Sequence, residues 1–357
     1  MSGTWSRREF LAASAALGTA GAAVPEIRRG GMVYRRLGQS SLQVSLLSFG
    51  SHTNPAFKRR QGQGSVLTPE GQAIRDRQIA RALDLGVNLV DTYESDGQWE
   101  PMARLVRPRR ERVLVSLCRQ FPLFVGENID RAVKLFGHVD LYRIYLGDGA
   151  AVDDRNLEDW DMMRKAKEAG KVRAIGVSTH SERMMVSALE ELEGIDYIMF
   201  PYNFIHARAD YSDFLPAALR RGVGLIAIKP LAAGSIAGLD PHARPGLKPE
   251  NERVQLYQSR NRPLLPAVVA ELTKSLTRSP EETLCQAALR FVYARPFLAS
   301  AMPGMFEDQT LEDNYAALAR HIAVGRGESA VLDAARHAAG GAWLPSVYRW
   351  LDQRWRA

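Results

Sequence analysis

Side chains able to give or hold a proton stand where short apolar runs finish: Asp91, Cys118 and Tyr145, with Asp96 five residues beyond the first. Tyr145 closes the run Asp140-Leu141-Tyr142-Arg143-Ile144 and carries a phenol that can donate a proton. An unassisted phenol, with a pKa near 10, is a weak acid at neutral pH, so a neighbour must tune it. Asp96 serves as an acid only where burial raises its pKa. Tyr93, two residues past Asp91, is a shifted alternative donor. Strand alternation puts Arg143 on the face of Tyr145, where it can pair with Asp91, and turns Arg119 to the face opposite Cys118. Left unpaired and buried, Asp91 would be costly or would sit protonated. Each of these residues reads in two ways, as a catalytic group or as a polar residue satisfied at a strand end.

Other chemistries find little support. The 357 residues include only two cysteines, Cys118 and Cys285, too few for a four-thiolate iron–sulfur or zinc site or a disulfide framework. Seven histidines are spread without ligand spacing, so no metal site is expected. His52 ends the first strand-like run and is placed to touch a ligand. The net charge is +7, but Lys and Arg are scattered, without the basic–aromatic interleaving of single-strand binders, so nucleic acid is not an expected partner.

The elements that must position these groups alternate. Runs at 32–38 and 44–50 read as an N-terminal β-hairpin leading into a first strand. Strand-like runs follow at 88–91, 113–118, 140–146, 172–178, 197–201, 224–228 and 297–302. Helical patterns lie between them at 69–85, 98–105, 127–136, 157–169, 182–192, 213–221, 266–276 and 280–293, the last opening on Pro280-Glu281-Glu282 with acidic residues at its dipole-favoured end. Alternating strands and helices predict a parallel sheet with right-handed crossovers, and eight strands predict a closed (β/α)8 TIM barrel spanning 32–320. No Gly-x-Gly-x-x-Gly follows an early strand, which disfavours a doubly wound sheet. The stretch 232–264 reads as a long loop after the seventh strand, functional or mobile. A helical C-terminal extension, 321–357, carries Trp343, Trp350 and Trp355.

From Val33 to about Leu318 the chain resembles the aldo-keto reductase family. The matching phrases are Arg36-Leu37-Gly38, Gly86-Val87-Asn88-Leu89-Val90-Asp91-Thr92, Val139-Asp140-Leu141-Tyr142, Gly170-Lys171-Val172-Arg173-Ala174-Ile175-Gly176-Val177-Ser178, Pro201-Tyr202-Asn203, Lys229-Pro230-Leu231-Ala232-Ala233-Gly234 and Pro303-Gly304. The resemblance implies a nicotinamide cofactor laid over the barrel mouth and hydride transfer to a carbonyl. It also implies a Tyr proton donor helped by a Lys, an Asp paired with that Lys, and an orienting His. Carried over residue by residue, the Asp is Asp91, the Tyr position is Asp96 before Gly97, the Lys position is Cys118 and the His position is Tyr145. Three of the four roles are therefore filled by other chemistry, and nothing at Cys118 would lower a phenol's pKa.

The implied cofactor site is likewise altered. Ser178 matches the contact to the nicotinamide amide, Thr179 replaces the usual Asn, Met199 the usual Gln, and Ile228 stands at a position often aromatic or Met. Lys229 with Pro230 and Leu231 is similar to iron–sulfur-bearing relatives and is placed to meet a phosphate. Gly304 and Asn314 keep the adenosine frame, while Phe306 replaces an Arg that grips the 2′-phosphate, so charge-assisted recognition is lost there. NAD(P)H binding is expected at a weakened site. No iron–sulfur cluster is expected, since Gly340-Gly341-Ala342-Trp343 lacks the cysteines those relatives carry. The reading is an NAD(P)H-dependent carbonyl oxidoreductase with altered acid–base groups; the alternative is a non-catalytic barrel that binds a small ligand, a nucleotide or a partner protein.

At the N-terminus, Ser6-Arg7-Arg8-Glu9-Phe10-Leu11 precedes a weakly apolar Ala- and Gly-rich run with Ala20 and Ala22 in a cleavage-site arrangement. Residues 1–22 resemble a twin-arginine (Tat) signal, which implies export to the periplasm or beyond and no membrane segment after cleavage. The run is short for a bilayer span. Arg7→Lys with Arg8→Lys should leave the precursor inside the cell, read by fractionation and immunoblot; undiminished export would remove the twin-arginine reading.

Overall fold

The computed structural model describes residues 26–319 apart from 63, 94–96, 120–123, 148, 205, 208, 210–211, 238–269, 271 and 275. The signal (1–22), the C-terminal extension (321–357), Asp96, and most of the 232–264 loop and 266–276 helix fall outside the described residues.

Seven aliphatic runs pair in parallel: β6 (Leu89–Tyr93), β7 (Leu114–Cys118), β8 (Val139–Tyr145), β9 (Val172–Ser178), β10 (Tyr197–Pro201), β11 (Gly224–Ile228) and β12 (Leu298–Met302), in the order β12-β11-β10-β9-β8-β7-β6. Residues 46–49 hydrogen-bond both edges of this curled sheet. The Ala301 amide donates to the Leu46 carbonyl (2.8 Å) and the Ser48 amide to Ala301 (2.9 Å), while the Phe49 amide donates to Leu89 (2.9 Å) and the Asp91 amide to Phe49 (2.9 Å). The arrangement is α/β and TIM-barrel-like. The sequence run 44–50 is split: its start belongs to an antiparallel sheet of β1 (Ile27–Arg29), β2 (Met32–Arg36) and β3 (Gln43–Ser45), and only its later part meets the parallel strands. Leu46, Leu47 and Phe49 are all fully buried, so no alternation marks the change of partner.

The antiparallel sheet plugs one end of the parallel one. Leu37, Leu42 and Val44 pack with Leu89, Leu141, Ala174, Tyr197, Met199 and Ile226 in the sheet's interior. Each such aliphatic side chain stabilises the plug by roughly 1.5–3 kcal/mol. Gly38 is required for this fit: its φ is +55°, and a Cβ there would lie 2.4 Å from the Gly224 amide nitrogen. A second antiparallel pair, β4 (Lys58–Gln61) and β5 (Gly64–Leu67), was not expected from sequence, because Lys58-Arg59-Arg60-Gln61 shows no apolar alternation.

Helices cover the outer face: α1 (Pro69–Asp84), α2 (Trp99–Val106), α3 (Val125–Phe136), α4 (Asp154–Glu168), α5 (Glu182–Glu191), α6 (Phe214–Arg220), α7 (Leu284–Tyr293) and α8 (Asp308–Ala319). Their starts follow capping chemistry. Thr68 accepts from Gly71 before Pro69 opens α1, and Asp153 with Asn156 forms a capping box on α4. The expected helix start at Pro280 is corrected to Leu284, because Thr283 and Gln286 form the capping box. Glu282 instead goes into a buried ion pair, accepting from Arg290 Nε at 3.0 Å and from the Arg278 amide at 2.7 Å. No helix among the described residues is long and apolar enough to cross a membrane.

Candidate active site

The carboxyl ends of β6 to β11 all emerge on one side of the sheet, opposite the plug. Parallel pairing sets Asp91 beside Ser116, Cys118 beside Arg143 and Tyr145 beside Ser178. Period-2 alternation therefore brings Asp91, Ser116, Cys118, Arg143 and Tyr145 to the inner face.

Asp91 is held as a buried ion pair. Arg143 Nη2 donates to Asp91 Oδ2 at 2.9 Å and Nη1 donates to Oδ1, a two-pronged contact. Ser116 Oγ donates to Asp91 Oδ1 at 2.6 Å and accepts from Arg143 Nη1 at 3.1 Å. The pairing expected from alternation is present, and Ser116, which sequence reading passed over, completes it. Breaking such a buried pair from one side costs about 3–5 kcal/mol. On the outer face, Arg119 pairs with Asp159 of α4, as alternation requires.

Cys118 sits beside this pair, 4% exposed. Burial pushes its thiol up, with Asp91 adding to the rise and Arg143 and Arg119 opposing it, so it remains protonated at neutral pH. The phenols of Tyr142 and Tyr197 are also buried, and burial raises both well above 10. Tyr142 turns outward to donate to Asn128 Oδ1 at 2.7 Å. By contrast, Tyr145 is 47% exposed at the end of β8. The side chain of Tyr93 and the whole of Asp96 fall outside the described residues.

Tyr145 does not stand alone. Its hydroxyl lies 3.2 Å from His180 Nδ1, with the two rings edge to face at 5.7 Å between centroids. On the other side of the imidazole, Nε2 lies 3.0 Å from Lys229 Nζ. Burial, assisted by the Lys229 charge, lowers His180 to about 2, so the imidazole is neutral at ordinary pH. Loss of water around Lys229 lowers its ammonium to about 8; it is charged below that pH and neutral above it. His180 was missed by sequence reading as one histidine among seven. The usable signal was its place two residues past the end of β9, on the same side as Tyr145.

The loops that carry these groups are fixed by short-range bonds. Thr179 donates through Oγ1 to the Gly147 carbonyl at 2.6 Å and accepts from the Ser181 amide at 3.1 Å. Ser181 caps α5 by accepting from Met184 at 3.3 Å. His180 is clamped between these two residues. Lys229 has φ +54°, and Ala232 and Ala233 share this left-handed conformation. For residues with a Cβ that conformation costs roughly 1–2 kcal/mol each. The Lys229 carbonyl accepts from Asn203 Nδ2 and from the Ala232 amide, both at 2.9 Å, which holds the turn in place.

The other expected contact residues are spread along this end. Ser178 is nearly buried, Met199 lies in the interior cluster, and Ile228 is half-buried against it. Leu231 packs on the outer core. Gly304 is exposed, with nothing within 4 Å of a Cβ built there. Asn314 of α8 is buried and donates to the Gly304 carbonyl at 3.4 Å. With its amide turned to accept, Gln78 of α1 takes the amides of Glu307 and Asp308 at 3.0 and 3.2 Å, beside half-buried Phe306. His52 is exposed, and its carbonyl accepts from Arg75 at 3.1 Å; Arg75, buried over the Phe49 ring, was also not foreseen. Among the described residues no group of three or more His, Cys, Asp or Glu is placed to hold a metal ion.

A profile of the aldo/keto reductase family matches residues 62–323. The chain belongs to the aldo/keto reductase family. It is 25% identical over 326 residues to L-glyceraldehyde 3-phosphate reductase of Escherichia coli strain K12, covering 82% of this chain and 89% of that one. It is 23% identical over 309 residues to L-galactose dehydrogenase of Arabidopsis thaliana, with the same two coverages of 82% and 89%. Among solved structures it is similar to the holo form of an aldo-keto reductase from Bacillus halodurans, with a TM-score of 0.62 at 20% identity over 85% of this chain and 95% of that one. It is also similar to an aldo-keto reductase from Klebsiella pneumoniae in complex with NADPH, with a TM-score of 0.60 at 19% identity over 84% and 94%.

The left-handed backbone at Lys229 generates a test that is independent of catalysis. Lys229→Gly and Lys229→Ala both remove the amine, but only glycine relieves the φ. Lys229→Gly should therefore be the more stable of the two by about 1 kcal/mol in urea denaturation, the reverse of their usual order. Equal stabilities would mean that the turn carries no strain.

Proposed function

We propose that this chain is an NAD(P)H-dependent carbonyl oxidoreductase in which Tyr145 supplies the proton and the positions of Asp96 and Cys118 do not. One observation carries this reading: Tyr145 is a half-exposed phenol at the carboxyl end of the sheet, bonded to a neutral imidazole whose far nitrogen meets Lys229. A small-molecule carbonyl is the expected substrate. We read residues 46–49, bonded to both sheet edges, as the eighth stave of a closed (β/α)8 barrel over 32–320, with the antiparallel sheet as its floor. Export through the twin-arginine signal, to the periplasm or beyond, is part of the same proposal.

The residues present suit a nicotinamide nucleotide held less tightly than charge would hold it. Ser178 offers a hydroxyl to the carboxamide, and Met199 and Ile228 offer an apolar floor. The open backbone at Gly304, with Asn314 and Leu231, would frame the rest. When bound, the dihydronicotinamide would supply the hydride. Several features favour a weak grip on its phosphates: Phe306 carries no charge, Gln78 already takes the first amides of α8, and Lys229 Nζ is turned to His180. Cys118 and Cys285 lie on separate elements, and no iron–sulfur cluster is proposed.

A second reading, a barrel that binds a ligand without turnover, is favoured by Asp91, whose two oxygens are already taken by Arg143 and Ser116. Titration of the mature protein with NADPH and NADH, followed by fluorescence or calorimetry, should show binding of at least one below millimolar concentration. Absence of both at millimolar concentration would remove the reductase reading. With 4-nitrobenzaldehyde as the probe carbonyl, Tyr145→Phe should lower turnover by at least about a hundredfold, the contribution expected of a general acid. An unchanged rate would take Tyr145 out of the reaction.

A further inference from the structure

Tyr145, His180 and Lys229 come from three separate places, the end of β8, the loop after β9 and the turn after β11, yet they meet in one line of hydrogen-bonding atoms. The direction of that line follows from donor chemistry. A lysine ammonium has protons to give and no lone pair, so the nitrogen it meets must accept. Nε2 of His180 therefore carries no proton. A neutral imidazole keeps its single proton on the other nitrogen, so Nδ1–H donates to Tyr145 Oη. Once the phenol oxygen accepts from the ring, its own hydrogen must point away from the imidazole.

We infer that Lys229 and His180 are positioning residues that fix a one-way hydrogen-bond chain, turning the Tyr145 hydroxyl toward a substrate carbonyl oxygen. The inference rests on the carbonyl-reductase reading above and adds which groups orient the donor and stabilise its conjugate base. A bound dihydronicotinamide would supply the hydride to the carbonyl carbon; the part of Tyr145 is to break its O–H bond as a new O–H bond forms on the product oxygen. The phenolate left behind is stabilised by the Nδ1–H of His180, polarised by the Lys229 charge beyond it, and regains a proton from solvent at its exposed edge. Two further features of the structure agree with this use. The left-handed turn at Lys229 is kept although a glycine would relieve it, as expected where the side chain is needed. The bonds of Thr179 and Ser181 fix the backbone on both sides of His180, so the ring has a defined place to be polarised from.

The tautomer is the direct readout and needs neither cofactor nor substrate. In protein labelled with 15N-histidine, with the His180 signals assigned from His180→Gln, the wild type near pH 6.5 should show a neutral ring protonated at Nδ1. Lys229→Met should lose that preference, Lys229→Arg should keep it, and Tyr145→Phe should keep it because the lysine still sets the direction. An Nε2-protonated ring in the wild type, or an unchanged ring in Lys229→Met, would overturn the inference. Cofactor titration separates this from the underlying reading. Lys229→Met should leave the NADPH or NADH dissociation constant within about twofold while lowering turnover of 4-nitrobenzaldehyde on the order of tenfold or more, with partial rescue by Lys229→Arg. The expected tautomer in a protein that binds neither nucleotide would remove the reductase reading and leave the chain of hydrogen bonds standing. Full turnover in Lys229→Met would remove the chain's role and leave the reductase reading intact.

Discussion

A carboxylate buried inside a β-sheet must face a cation or give up its charge, and Asp91 is that carboxylate. Arg143, one strand beyond the neighbouring β7, reaches it with both terminal nitrogens and shares Ser116 with it. Much of the site follows from this single pairing. Because the counter-charge comes from β8, the end of β7 needs no cation, and a small buried thiol, Cys118, fits beside the guanidinium.

The same choice separates two tasks. Arg143 is planar, permanently charged and held through both terminal nitrogens by Asp91 and Ser116, which makes it a structural cation. Lys229 is partly buried, lowered to about 8 and bonded to a neutral histidine, which leaves it a cation at neutral pH able to polarise that ring. In the proposed reading, charge balance and the orientation of the proton donor thus fall to different residues, one on β8 and one in the turn after β11. The second task is located on a strained turn and a clamped loop, the kind of local cost that the surrounding hydrogen bonds must offset.

Much of the frame was legible in the sequence, for physical reasons. The runs at 172–178, 197–201 and 224–228 are short, buried but for Arg173 and Ile228, and bounded by turns, and the strands fall on those residues. The Asp91–Arg143 pair was legible too, since alternation fixed both side chains on one face. Other features needed the third dimension. The β4–β5 pair is polar and shows no period, and the α7 start is set by a Thr283–Gln286 box that directly follows the acidic pair that suggested Pro280. Ser116, Arg75 and His180 are unremarkable by type and spacing, and each gains its role from a partner 23 to 49 residues away. Membership of the family was legible in the phrases around these elements, and Tyr145 as a candidate donor too, whereas its contact with His180 and that of His180 with Lys229 were not.

If Asp91 has room for a single cation, a second one at the end of β7 will be unpaired while Arg143 is in place. Urea denaturation of Cys118→Lys, Arg143→Met and the double variant measures this directly. Each single change should destabilise by about 3 kcal/mol or more, and the double should be at least about 2 kcal/mol more stable than their sum, because the new lysine then takes the place of the guanidinium. Additive losses, or a Cys118→Lys variant as stable as the native chain, would contradict the central role given to the Asp91–Arg143 pair.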